Sequence, residues 1–161
     1  MTEKMLERAE INKQKLGYEN VEFRLGEIED LPIDENSIDV VISNCVLNLV
    51  PDKNKAFSEI FRVLKPGGHF CISDIVLNNE LPESILKSVE LYAECVSGAL
   101  LKHEYLNIIS ESGFENVEVK IARDTMLSEE SLNAYLSPEE VNEFRSNQSA
   151  VQSITVVGYK P

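Results

Sequence analysis

Apolar side chains recur at helical spacing in four parts of the chain, and this periodicity predicts helices at residues 4–16, 52–64, 83–95 and 103–112. Thr2 is the candidate N-cap of the first helix, because a hydroxyl accepts hydrogen bonds from the unpaired N–H groups of a first turn. Gly17 follows as its stop, since glycine readily adopts the left-handed conformation that ends helices. Residues 128–149 are polar, and we expect them to be partly helical.

Other segments show the patterns of strands, at residues 21–25, 38–42, 70–76, 117–123 and 154–159. The run from Ile38 to Ile42 is apolar except for Asp39, which is typical of a parallel strand buried on both faces. The last two strands are consecutive and predict a closing antiparallel pair. The order of elements predicts an α/β fold with helices on both faces of one sheet.

Composition and net charge limit the classes of function that the chain can have. The chain has 161 residues, which fits a single domain over residues 1–161, and no apolar run approaches the roughly 20 residues that span a bilayer. A net charge of −13 disfavours nucleic acid as a partner, so we expect a small-molecule substrate. The first residues show no secretory signal, and three cysteines argue against a disulfide framework, so we expect a cytoplasmic protein.

Four features in a fixed order carry a resemblance to a known family. They are Gly26–Pro32 after a strand, Ser37–Val41, the segment Arg62–Gly68 before a strand, and the terminal strand pair. In this order the chain resembles the class I S-adenosylmethionine-dependent methyltransferases. The resemblance implies a Rossmann-like fold whose mostly parallel sheet ends in an antiparallel C-terminal strand pair; the alternative is an α/β domain of another superfamily.

The sequence departs from that family at its front. The family begins with a strand, a G-x-G loop and a second strand that ends in an acidic residue, and this sequence contains no such loop. Met1 and Thr2 correspond to the positions just after the acidic residue, so we expect either a fragment or a truncated paralogue. A sheet without those strands has an exposed edge, which predicts a homodimer or a swapped oligomer.

Two cysteines make the resemblance more specific. Cys45 follows a predicted buried strand at the end where open α/β sheets place ligands, although packing alone is the alternative reading. The segments Ser43–Leu49 and Glu94–Leu100 together resemble the arsenite methyltransferases, which use two such cysteines as arsenic ligands. The resemblance implies that Cys45 and Cys95 bind arsenic and carry catalysis.

Arsenic chemistry gives a reason for thiols. Trivalent arsenic is a soft centre that prefers thiolate ligands, and three sulfurs leave it a lone pair that can attack a sulfonium methyl group without an acid or base. The family's third cysteine lies in its front part, and we interpret Cys71, in mid-strand, as core packing. Two thiols suffice if glutathione supplies the third sulfur, so arsenite or an arsenic–glutathione adduct is the expected substrate.

The resemblance also implies S-adenosylmethionine as cofactor, in contact with Met1 and Thr2, Ile28 and Glu29, and Asn44 and Cys45. Ile28 would pack on the adenine ring and Glu29 would meet its amino group. Neither His69 nor His103 has a partner at metal-binding spacing, so we expect no structural metal.

Three functions remain open on the sequence alone. The first is an arsenite methyltransferase, or the substrate-binding part of one. The second is a protein that binds arsenite without catalysis, because the sequence holds no cofactor loop. The third is a methyltransferase for an organic small molecule, in which both cysteines occur by chance.

Overall fold

A computed structural model of the chain describes residues 2–80, 98–125, 137–138, 141 and 151–161. Its helices are α1 (Glu3–Leu16), α2 (Lys53–Val63) and α3 (Lys102–Glu111), with a 3-10 turn at Leu47–Leu49. Its strands are β1 (Ile38–Asn44), β2 (Leu64–Leu77), β3 (Glu115–Asp124) and β4 (Val151–Tyr159). In the part of the chain so described, no helix is both long and apolar enough to cross a membrane.

The described strands form one sheet in the order β1-β2-β4-β3. β1 is parallel to β2, and β4 is antiparallel to both β2 and β3. Three strands therefore run in one direction and β4 opposes them. This arrangement confirms the predicted α/β fold, with its mostly parallel strand directions and its antiparallel C-terminal pair.

The core lies between one face of this sheet and helices α2 and α3. Phe57 of α2 meets Phe70 of β2 and Tyr105 of α3 edge to face, with ring centroids 6.1 and 5.5 Å apart. All three rings are fully buried. Burying a large apolar side chain stabilises a fold by roughly 1.5–3 kcal/mol, so this cluster fixes both helices on the sheet.

The opposite face of the sheet is open among the described residues. The prediction that the Ile38–Ile42 segment is buried on both faces is therefore wrong here, because Ile42 is 79% exposed and Val40 is 46% exposed. α2 and α3 cover the same face, and β1 is the last strand of the described sheet. A strand is buried on both faces only where other elements cover both.

The predicted strand at residues 21–25 is also not formed, although the residues have the alternating pattern. Val21 and Phe23 are half-buried and Leu25 is 50% exposed. Alternation creates an apolar face, but a strand also needs a neighbouring strand for its backbone hydrogen bonds, and none of the described strands lies beside this segment.

Helix α1 begins and ends as predicted. The side chain of Thr2 accepts a hydrogen bond from the N–H of Met5 at 3.4 Å, and Gly17 adopts a φ of 71° just after the last turn. No residue of α1 is buried. The helix predicted at residues 83–95 and most of residues 128–149 lie outside the described residues.

Two side chains of α2 hold the loop between residues 27 and 33. Glu59 accepts the N–H of Leu31 at 2.9 Å and pairs with Arg62 at 2.7 Å. The guanidinium of Arg62 donates to the carbonyl oxygens of Leu31 and Ile33 at 3.1 and 2.9 Å. The hydrogen bond from Arg62 is the main reason that the pKa of Glu59 lies below its ordinary value. We call this pair the loop clamp.

We expect Glu59→Gln to lower the free energy of unfolding by about 1 kcal/mol at pH 7, because it removes charge-assisted hydrogen bonds. A depressed pKa in the folded state stabilises above the unfolded value, and that contribution disappears as the pH falls through the folded value. The difference between wild type and variant should therefore shrink as the pH falls below 4.5. Urea unfolding at several pH values measures this difference in the free energy of unfolding. Glu111→Gln, at an exposed position of α3, is the control. A difference that stays constant with pH would contradict the role of the clamp.

Candidate functional site

Cys45 lies directly beyond the carboxyl end of β1, where the sequence predicts a ligand site. Its backbone N–H donates to the carbonyl oxygen of Ser73 on β2 at 2.8 Å, and its side chain is half-buried. Its φ of 58° is in the left-handed region, which residues with a side chain seldom adopt. Such conformations cluster at functional sites, where surrounding contacts hold them in place.

A cleft of about 740 Å³ brings three of the predicted site residues together. Ile28 and Glu29 line it, together with Cys45, Val46 and Leu49. Most of the residues that line it are apolar. The predicted adenine-binding loop and the predicted arsenic ligand therefore face the same space.

The two residues predicted to contact adenine are both half-buried. Ile28 packs against the hydrophobic core. Glu29 accepts the N–H of Asp52 at 2.9 Å through one carboxylate oxygen, which ties its loop to the start of α2. Glu29 is thus held by one carboxylate oxygen and is also one of the residues that line the cleft.

The other predicted site residues are placed differently. Thr2 and Asn44 are exposed and are not among the described residues that line the cleft. Met1 and Cys95 lie outside the described residues, so their predicted roles stay predictions. Cys71 is half-buried on the open face of the sheet, in register with Ile42 and Val157, and is likewise not among the described residues at the cleft.

A buried carboxylate behind Cys45 is a feature that the sequence analysis missed. Asp74 is only 2% exposed and accepts the N–H of Val46 at 3.1 Å and the hydroxyl of Tyr105 at 2.7 Å. Burial raises the pKa of Asp74, while the hydrogen bonds from Tyr105, Val46 and Asn48 act in the opposite direction, as does the charge of Lys53. The sequence carried a signal, since position 74 falls on the same face of β2 as the buried residues Phe70, Ile72 and Val76.

Residues 98–100 return to the region that follows Cys45. A Cβ added at Gly98 would lie 2.3 Å from the carbonyl oxygen of Asn48, so only glycine allows the two backbones to come this close. Leu77, at the end of β2, donates its N–H to the carbonyl oxygen of Leu100 at 2.8 Å. The stretch that follows Cys95 in sequence therefore meets the stretch that follows Cys45.

The chain is similar to known methyltransferases in sequence. The chain is 44% identical to an arsenite methyltransferase of Halobacterium salinarum over 119 residues, 74% of this chain and 30% of that protein. It is 42% identical to the human arsenite methyltransferase over 123 residues, 71% of this chain and 33% of that protein. The chain thus spans about a third of the length of these relatives.

A solved structure supports the fold over the whole chain. An arsenic (III) S-adenosylmethionine methyltransferase from Chlamydomonas reinhardtii superposes with a TM-score of 0.80 at 34% identity, covering 99% of this chain and 53% of that one. The sequence model of a family described as "Methyltransferase domain" matches residues 1–113 of the chain. The chain therefore belongs to the methyltransferase domain family.

Proposed function

We propose that this chain is the arsenic-binding part of an arsenite methyltransferase, an enzyme that transfers methyl groups from S-adenosylmethionine to thiol-bound trivalent arsenic. The observation that carries the proposal is the cleft that Cys45 lines together with Ile28 and Glu29. The similarity to arsenite methyltransferases from an archaeon and from mammals supports the same substrate.

Cys45 and Cys95 are the proposed arsenic ligands. Cys95 precedes Gly98 by three residues, and three residues of extended chain reach at most about 11 Å. Gly98 lies against the backbone of Asn48, which follows Cys45 by three residues, and this spacing along the chain supports the proposed pair of ligands. A third sulfur from glutathione would complete the pyramidal coordination that soft trivalent arsenic takes up.

The residues of the cleft suit S-adenosylmethionine on the adenosine side. Ile28 offers an apolar surface for the adenine ring, and the second carboxylate oxygen of Glu29 can accept from the exocyclic amino group. Glu29 keeps its orientation because its first oxygen is bound to Asp52. Thr2, Asn44 and Met1 remain proposed contacts on the resemblance alone.

The bound cofactor supplies a methyl group on a positively charged sulfur. The arsenic lone pair would form the new bond to carbon, and the electron pair of the carbon–sulfur bond would remain on sulfur. This reaction transfers no proton at arsenic, so the chain's contribution is position: thiols that hold arsenic on one side of the cleft and a loop that holds the donor on the other.

We expect Cys45→Ser and Cys95→Ser each to weaken arsenite binding by about a hundredfold or more, because a hydroxyl is a poor ligand for a soft centre. Cys71→Ser is the matched control. Its arsenite affinity should stay within about twofold of wild type, since Cys71 lies on the open face of the sheet and is not among the described residues that line the cleft. Isothermal titration of the reduced chain with arsenite and glutathione measures the affinities.

Methyl transfer is measured in parallel with labelled S-adenosylmethionine. Unchanged methylation of arsenite in the Cys45 and Cys95 variants would contradict the proposed ligands. Tight arsenite binding with no detectable S-adenosylmethionine binding would instead identify the chain as an arsenite-binding protein without catalysis. A wild-type chain with no arsenite affinity would favour an organic substrate, which a weaker similarity to a ubiquinone/menaquinone C-methyltransferase of Rickettsia prowazekii would then help to define.

We also propose that the open edge of β1 pairs with a second copy of the chain. β1 ends the described sheet, and its side chains Val40 and Ile42 are exposed and apolar. An apolar edge strand is a template for another strand, and two identical edges can pair antiparallel about a twofold axis.

We therefore expect a dimer in size-exclusion chromatography with light scattering. Ile42→Lys should shift the chain to a monomer, because a charge on an edge strand opposes further pairing. Ile121→Lys, at a 46% exposed position of the other edge strand β3, is the control and should leave the dimer intact. A wild-type chain that stays monomeric at high micromolar concentration would contradict this proposal.

A further inference from the structure

We infer that Asp74 is a positioning residue that fixes Cys45 in the orientation needed to bind arsenic. The inference rests on the proposed function of Cys45 as an arsenic ligand, and it adds a residue that does not itself reach the substrate. Asp74 is buried behind the loop and is not among the described residues that line the cleft.

The backbone on both sides of Cys45 is attached to consecutive residues of β2. The N–H of Cys45 donates to the carbonyl oxygen of Ser73 at 2.8 Å. The N–H of the next residue, Val46, donates to the carboxylate of Asp74 at 3.1 Å. The peptide units before and after the Cys45 Cα are thus fixed, which leaves the side-chain torsion as the main freedom of the thiol.

This double attachment accounts for the unusual backbone of Cys45. A φ of 58° is disfavoured for a residue with a Cβ, and it persists only where surrounding contacts over-determine it. Asp74 supplies such contacts, since its carboxylate also accepts from the backbone N–H of Asn48, two residues after Val46. One carboxylate therefore binds the backbone N–H groups of both Val46 and Asn48.

The carboxylate is itself held from behind. Its second oxygen accepts the hydroxyl of Tyr105 at 2.7 Å, and Tyr105 is fully buried against Phe57. A buried carboxylate is costly unless it is well hydrogen-bonded, and here its partners are two backbone N–H groups and this phenol. Tyr105 and Asp74 thus connect the buried packing of α3 to the loop that carries Cys45.

Asp74→Asn tests the inference with little change in volume. The asparagine amide has one acceptor oxygen and one donor nitrogen. In the orientation of the Asp74 carboxylate it therefore cannot accept hydrogen bonds from both Val46 and Tyr105. We expect arsenite affinity to fall about tenfold, and more in Asp74→Ala, which removes every acceptor. Ser73→Ala is the matched control, because it keeps the backbone carbonyl that binds Cys45 and removes only a hydroxyl bonded to Thr155.

A second readout separates positioning from unfolding. The rate at which iodoacetamide alkylates Cys45, followed by mass spectrometry of its peptide, should change by no more than about twofold in Asp74→Asn. Alkylation uses one thiol in any orientation, whereas arsenic needs thiols in a fixed arrangement. Wild-type arsenite affinity in Asp74→Asn would overturn the inference, and so would alkylation faster by tenfold, which would mean that the loop has unfolded.

Amide hydrogen exchange keeps this test distinct from that of the proposed function. The N–H groups of Val46 and Asn48 should be protected in wild type and in Ser73→Ala, and lose about tenfold in protection in Asp74→Asn. Absence of arsenite binding in wild type would overturn the proposed function. Equal protection of these two N–H groups in all variants would overturn the inference, whether or not arsenite binds.

Discussion

The parallel pairing of β1 with β2 is the constraint on which the site depends. It sets Asn44 opposite Ser73, so β1 ends beside a longer strand that continues from Ser73 to Leu77. Cys45 therefore emerges next to a strand that continues past it, and that continuation supplies both a carbonyl oxygen and the carboxylate of Asp74. In an open α/β sheet this is the edge at which ligands bind, because loops diverge there while the strands behind them stay fixed.

Local patterns in the sequence predicted much of this fold because they depend on neighbours along the chain. The cap of α1 at Thr2, its end at Gly17 and the antiparallel pairing of β3 with β4 follow from such patterns and are confirmed. The strand at residues 21–25 was wrong because strand formation needs a partner from elsewhere in the fold. The alternating pattern of this segment indicates only that one of its faces is apolar.

Three residues that the resemblance assigns to the site, Ile28, Glu29 and Cys45, line one cleft, and their roles there are proposals. The side chains that hold these residues in place were not predicted from the sequence. The clamp from Glu59 to Leu31 joins residues 28 positions apart, and the bond from Tyr105 to Asp74 joins residues 31 apart. No periodicity encodes such pairs, although an acidic residue at an inward-facing position of β2 does indicate that a buried partner exists.

The loop of Ile28 and the residue Cys45, which both line the cleft, are attached to one helix–strand unit, α2 and β2. The loop that carries Ile28 is held by Glu59 and Arg62 of α2, whereas Cys45 is held by residues of β2. α2 passes into β2 without an intervening loop, and Phe57 packs on Phe70 across the pair. The proposed methyl transfer would require donor and acceptor at a fixed separation, and a small misplacement is costly in rate. Since one helix–strand unit carries both attachments, the separation between Ile28 and Cys45 is set by core packing, which resists deformation more than any surface loop.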